Sequence, residues 1–309
     1  MPSLQSYLLR SLVKWQHRAV DFNAPVAEQR RVFENSARMI KPPRQIRAHP
    51  VIAAGVLGEW IEPPDSRSAP VILYLHGGGY MMGSPDTHRA MAARIAAASR
   101  ARALVLDYRL APEHPFPAAL EDAVAAYRWL LEHGTPPERI ILAGDSAGGG
   151  LALAALLALR DAGDPMPAAA VLISPLTDME GTGESVRTRA KADPMLTCDD
   201  RVVFRHYLAA GNDPRSPFIS PLYGNLAGLP PLLIHVGDDE ILLSDSTRLA
   251  ERACSAGTDV TLEVWPRMWH VWHFFAPYLP EANRAIRRIG DFVRGCTCAE
   301  DEVPLLQLN

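Results

Sequence analysis

Along most of the chain, short apolar runs alternate with longer stretches whose apolar residues recur at helical spacing. The runs at 71–75, 103–107, 139–143, 169–173, 231–236 and 261–265 predict strands. Between them, 88–99, 118–133, 147–162, 244–256 and 281–294 predict helices. The runs are continuously apolar rather than alternating, as expected of strands buried on both faces, and strands separated by helices pair in parallel. Residues 45–61 predict a leading pair of strands joined at Ala54-Gly55. The expected fold class is α/β, with a mainly parallel eight-stranded sheet flanked by helices.

Two regions break the alternation. Residues 1–44 are helical in pattern, with Leu8, Leu12, Trp15 and Val20 near helical spacing. Residues 178–225 follow Ile173-Ser174-Pro175 and surround a helix expected near 199–210. An insertion after a central strand is placed to lie above the strand ends of an open sheet. The expected division is an N-terminal helical segment (1–44), an α/β domain (45–295) with an insertion at about 178–225, and a C-terminal tail (296–309).

Composition narrows the classes. Of 309 residues, 48% are hydrophobic and 21% charged, which excludes a disordered chain. A net charge of −4 argues against a nucleic-acid partner, since such domains carry a basic face. The N-terminus lacks the apolar core and cleavage site of a signal peptide, and no run approaches the roughly 20 apolar residues of a spanning helix. A cytoplasmic protein without stable membrane insertion is expected. Cys198, Cys254, Cys296 and Cys298 have no metal-site spacing, so they read as reduced thiols.

Candidate chemistry centres on Gly144-Asp145-Ser146-Ala147-Gly148, between the run ending at Ala143 and the Ala/Leu-rich helix at 147–162. This is G-x-S-x-G in the strand-turn-helix context that a nucleophile elbow requires. A bend this tight admits only small neighbours, and glycines at 144 and 148 meet that demand. Ser146 is the expected nucleophile, facing the positive end of the following helix. The block fits neither a dinucleotide fingerprint nor a P-loop.

His76-Gly77-Gly78-Gly79 directly follows the run at 71–75. Ester hydrolysis passes through a tetrahedral oxyanion, and each backbone N–H aimed at it contributes about 2.7–4 kcal/mol. Glycines let the main chain approach closely. The expected donors are Gly77 and Gly78 with Ala147, the residue after the nucleophile. His76 is expected to brace this loop rather than act as a base.

Three blocks together carry a resemblance: His76-Gly77-Gly78-Gly79-Tyr80, the stretch Asp107-Tyr108-Arg109-Leu110-Ala111-Pro112-Glu113-His114-Pro115-Phe116-Pro117-Ala118, and Gly144-Asp145-Ser146-Ala147-Gly148-Gly149. Over about residues 45–295 the chain resembles the hormone-sensitive-lipase-like (bacterial family IV) esterases of the α/β-hydrolase fold. The resemblance implies a helical cap and hydrolysis of short- to medium-chain carboxylic esters with neither metal nor organic cofactor. It also implies a homodimer through the last strand and helix, as in many relatives.

The family order is Ser…Asp/Glu…His. The segment Trp269-His270-Val271-Trp272-His273-Phe274 is similar to the family's base segment and puts the base at His270, with His273 structural. The acid falls in Asp238-Asp239-Glu240. Counting back from the following helix selects Glu240, and counting forward from Gly237 selects Asp239. Glu240 is favoured, because either carboxylate orients an imidazole. Tyr80, Met81, Met82 and Phe204 are candidate pocket residues. The partner is then a small-molecule ester. Two alternatives remain at this point: a non-catalytic small-ligand receptor on the same fold, and an amidase or peptidase using the same triad.

Overall fold

Each apolar run forms a strand within a residue or two of its expected position. The structure, a computed structural model, describes residues 2–18, 24–64, 66, 69–197 and 211–297. The helix expected near 199–210, the candidate pocket residue Phe204 and the tail from 298 onward lie outside the described residues. One eight-stranded sheet runs in the order β1-β2-β4-β3-β5-β6-β7-β8. Its strands are β1 (Arg47–Ala53), β2 (Val56–Glu62), β3 (Val71–Leu75), β4 (Arg102–Leu106), β5 (Ile140–Asp145), β6 (Ala169–Ile173), β7 (Leu232–Gly237) and β8 (Val260–Trp265). The leading β1–β2 hairpin pairs antiparallel and joins β4 antiparallel; every other pairing is parallel.

Strand periodicity sorts the core into two layers. On β3, Val71, Leu73 and Leu75 enter one apolar cluster, while Ile72 and Tyr74 enter the other. The first is closed by α4 (Ala118–Glu132), α5 (Ala147–Ala162) and α7 (Leu243–Ser255), through residues such as Tyr127, Leu153 and Leu249. The second is closed by α3 (Pro85–Ser99) and α8 (Pro280–Thr297), through residues such as Ile95 and Ile289. This two-sided cover is why β3, β5, β6 and β7 are wholly buried. Gly290 lets α8 lie against α3, since a Cβ there would stand 2.4 Å from the Ala98 carbonyl oxygen.

Two helices precede the sheet, α1 (Leu4–Arg18) and α2 (Val26–Ala37); a single turn, α6 (Ser185–Thr188), lies in the insertion after β6. Arginines fix α2 and the stretch 107–118. Arg30 on α2 donates to the Met81 and Ala111 carbonyls at 2.7 and 2.9 Å and pairs with Glu113. Arg109 is held by Asp122 on α4. Helix α3 begins three residues earlier than its apolar period suggests, because Ser84 and Thr87 form a capping box around Pro85. Among the described residues, no helix is long and apolar enough to cross a membrane.

Candidate active site

The site lies at the carboxyl ends of the central strands. Strand β5 ends at Asp145 and α5 starts at Ala147, so Ser146 makes the whole connection. Its backbone adopts φ 53° and ψ −122°, an unfavourable conformation for a residue with a side chain. Main-chain bonds hold it there: Ser146 N–H donates to Ile173 O at 2.8 Å, and Ser146 O accepts from Leu176 N–H at 2.9 Å. The bend leaves no room for flanking side chains. A Cβ at Gly144 would stand 2.3 Å from Gly148 O, and one at Gly148 would stand 2.0 Å from Leu75 O. Both clashes are of a Cβ against main-chain atoms, which no rotamer change relieves. Gly148→Ala is therefore expected to lower stability by about 3 kcal/mol or more, measurable as a shift in the denaturant midpoint.

His270 follows β8 and meets Ser146 across the strand ends. Its Nε2 lies 2.9 Å from Ser146 Oγ, and its Nδ1 lies 2.9 Å from Glu240 Oε2. An ionised carboxylate only accepts, so Nδ1 carries the proton and Nε2 presents its lone pair to the serine hydroxyl. Burial drives the imidazole pKa down, but the bond and charge of Glu240, with the charges of Asp193 and Asp145, outweigh it and leave the pKa raised. The other end of the Glu240 carboxylate is also satisfied: Oε1 accepts from Ser174 Oγ–H at 2.9 Å and from Gly237 N–H. Ser174 Oγ in turn accepts from Val271 N–H at 3.3 Å. One serine at the end of β6 thus braces both the Glu240 carboxylate and the residue after the imidazole.

The two carboxylates left open by sequence counting separate by direction. Glu240 is fully buried and faces His270. Asp239 turns the other way and accepts from Arg10 at 2.7 Å, with Arg267 3.5 Å away.

The glycine loop requires a correction. Gly77 N–H, expected to serve the oxyanion, is taken up by Asp145 Oδ1 at 3.1 Å and His88 Nε2 at 3.2 Å. A Cβ at Gly77 would stand 2.3 Å from Asp145 Oδ2, so this glycine is required by the buried carboxylate behind it. Asp145 also accepts from Tyr74 Oη–H at 2.7 Å. The N–H groups of Gly78, Gly79 and Ala147, in contrast, have no acceptor within the described chain. His76 braces the loop: its Nδ1–H donates to Gly77 O at 2.8 Å, its ring stacks on Tyr108, and burial beside His88 lowers its pKa to about 3. Of the described pocket candidates, Tyr80 and Met81 are packed in the core and Met82 is partly buried. His273 packs inside against His235, with ring nitrogens 3.2 Å apart.

Several residues that shape the site carry no motif. Asp193, in the insertion after β6, is buried and accepts from Ile241 N–H at 3.0 Å and from Met195 and Leu196 N–H. Burial pushes its carboxyl up to about 6, against the pull of His270. Ser174 was detectable only as a polar residue closing an apolar strand at the edge where open α/β sheets bind ligands. Among the described residues, no group of three or more His, Cys, Asp or Glu is arranged to hold a metal ion.

Comparison with known proteins agrees with this architecture. A family described as alpha/beta hydrolase fold matches residues 72–274. An acetyl-hydrolase from Streptomyces hygroscopicus is 48% identical over 302 residues, 96% of this chain and 98% of its own length. An esterase from Acinetobacter venetianus is 37% identical, covering 85% of this chain and 87% of its own. A crystal structure of an esterase from the bacterial hormone-sensitive lipase family superposes with a TM-score of 0.93 at 47% identity, covering 96% of this chain and all of that one. The sheet order, the one-residue bend at Ser146 and these likenesses lead to one assignment: the chain belongs to the α/β-hydrolase fold family, among its hormone-sensitive-lipase-like esterases.

Proposed function

We propose that the protein is a serine carboxylesterase that hydrolyses short- to medium-chain acyl esters by two-step acyl transfer, with Ser146 as nucleophile, His270 as base and Glu240 as the acid that orients it. The observation that carries this reading is the imidazole of His270, within 2.9 Å of a hydroxyl on one side and of a carboxylate on the other. Ser146 Oγ attacks the ester carbonyl while His270 Nε2 takes its proton. The oxyanion is received by the N–H groups of Gly78, Gly79 and Ala147, the last at the start of α5, where the first-turn amides have no helical acceptor. The tetrahedral intermediate expels the alcohol, which leaves with the proton from His270. Water, deprotonated by the same imidazole, then attacks the acyl-enzyme and frees the acid. Residues 1–44 and the insertion at 178–225 act as the cap that limits acyl length.

A p-nitrophenyl ester series from acetate to palmitate tests the reading, run on the wild type and on Ser146→Ala. Turnover is expected to peak at short to medium chains in the wild type and to fall by about 10⁶-fold in the variant. Faster cleavage of long triglycerides than of short esters refutes the substrate class. The raised imidazole pKa sets the pH dependence. Only neutral His270 accepts the serine proton, so kcat/KM falls as pH drops through its pKa. The midpoint of that acid limb is expected above the usual imidazole value of about 6.5. A limb centred well below that value contradicts the electrostatic assignment.

A further inference from the structure

We propose that Arg10, on the N-terminal helix α1, is a positioning residue for the acid–base pair, because its guanidinium ties together the loop carrying Glu240, the loop carrying His270 and the insertion after β6. This rests on the esterase reading for its kinetic consequence, but not for its geometry.

The contacts close a circuit around Glu240. Arg10 Nη1 donates to Asp239 Oδ2 at 2.7 Å and to the Arg267 carbonyl at 3.3 Å. Arg10 Nη2 donates to the Ala192 carbonyl. Asp239 immediately precedes Glu240, and Arg267 lies three residues before His270. Ala192 immediately precedes Asp193, whose Oδ2 accepts from the N–H of Ile241, the residue just after Glu240. Both chain neighbours of the acid are therefore fixed to one guanidinium, Asp239 directly and Ile241 through Asp193. Asp239 N–H also donates to Met268 O at 3.1 Å, two residues before the imidazole.

The chemistry calls for arginine. Three acceptors on three segments lie around one planar group, and its two terminal nitrogens reach in different directions. An ammonium is a point charge and can hold Asp239 but not span all three. The Asp239 side chain is 8% exposed and that of Arg10 21%, so the pair is shielded from solvent, whereas the second cation near Asp239, Arg267, is 57% exposed. Helix α1 is separately anchored where it begins: Ser3 donates from its N–H and its hydroxyl to Glu281 at the start of α8. With that end fixed, Arg10 is, among the described residues, a polar contact by which α1 bears on the catalytic loops.

The test compares Arg10→Met, Arg10→Lys and the pair Arg10→Met with Asp239→Asn against the wild type, with folding checked by near-UV circular dichroism. Arg10→Met is expected to lower kcat towards the roughly hundredfold loss that a misplacement of about 1 Å can cause, with KM little changed. His270 is faced by Glu240, Asp193 and Asp145, and Asp239 by Arg10 and Arg267. Removing the Arg10 cation leaves the nearby carboxylates less compensated, so the imidazolium is favoured. Its titration, followed by NMR of the ring protons and by the acid limb of kcat/KM, is expected to move to higher pH. In Arg10→Lys the limb stays in place while kcat is intermediate. In the double variant the limb returns but the kcat loss remains, because the clamp on Arg267 and Ala192 is still gone.

Wild-type kcat and an unmoved His270 titration in folded Arg10→Met overturn the proposal. If Arg10→Met does not fold, Arg10→Lys decides, and full wild-type kcat there overturns it too. A wild type that cleaves no ester, but whose His270 titration still moves in Arg10→Met, refutes the esterase reading and supports the clamp.

Discussion

Ser146→Ala is expected to lower kcat by about 10⁶-fold, the scale on which removal of a triad serine acts in other serine hydrolases. Without Oγ no acyl-enzyme forms, and turnover falls to what amide stabilisation and substrate positioning provide alone, about 10³–10⁴ over water. Folding should survive. The main-chain bonds from Ser146 to Ile173 and Leu176 are unchanged, and alanine is no more strained at φ 53° than serine. The check is twofold: kcat against a short-chain ester, and intact-mass labelling by an organophosphate. The wild type gains one adduct and the variant none. Turnover that persists at the wild-type level removes Ser146 as nucleophile.

Glu240→Gln is expected to cost about 10⁴-fold in kcat with KM nearly unchanged, the loss seen when a triad acid becomes its amide. The shapes match, so the mutation isolates a proton. A glutamine amide can donate to His270 Nδ1, which drives the ring proton to Nε2 and abolishes the lone pair facing Ser146. Asp239→Asn is the contrasting experiment. Asp239 faces Arg10 rather than the imidazole, so its loss should be smaller by orders of magnitude. An equal loss in both variants, or wild-type kcat in Glu240→Gln, would falsify the assignment of the acid.

The fold was legible because burial on both faces writes continuous apolar runs, and those at 71–75 and 169–173 coincide with β3 and β6 end to end. Element limits differ from the expected ones where polar chemistry sets them. The start of α3 is fixed by a capping box, and β5 runs through Gly144 and Asp145 because the elbow continues the strand. Ser146 and His270 were readable because each stands inside a local motif. The candidate acid is ambiguous in sequence because three adjacent carboxylates share one loop, and only the direction of each side chain separates them. Gly77 is told apart from its neighbours only by its contacts, for a related reason. Three successive glycines look alike in sequence, yet the first is drawn to Asp145 by contacts spanning 68 positions. Arg10, Ser174 and Asp193 were invisible as site residues because their partners lie on distant segments.

The left-handed backbone at Ser146 also limits what the chain could become. A β-branched side chain is strained at positive φ, so threonine is disfavoured at this bend although it carries the same hydroxyl. Cysteine, unbranched and close in size, is admitted. The corner that lifts the hydroxyl above the sheet therefore favours a thiol over a threonine hydroxyl as the substitute nucleophile on this scaffold.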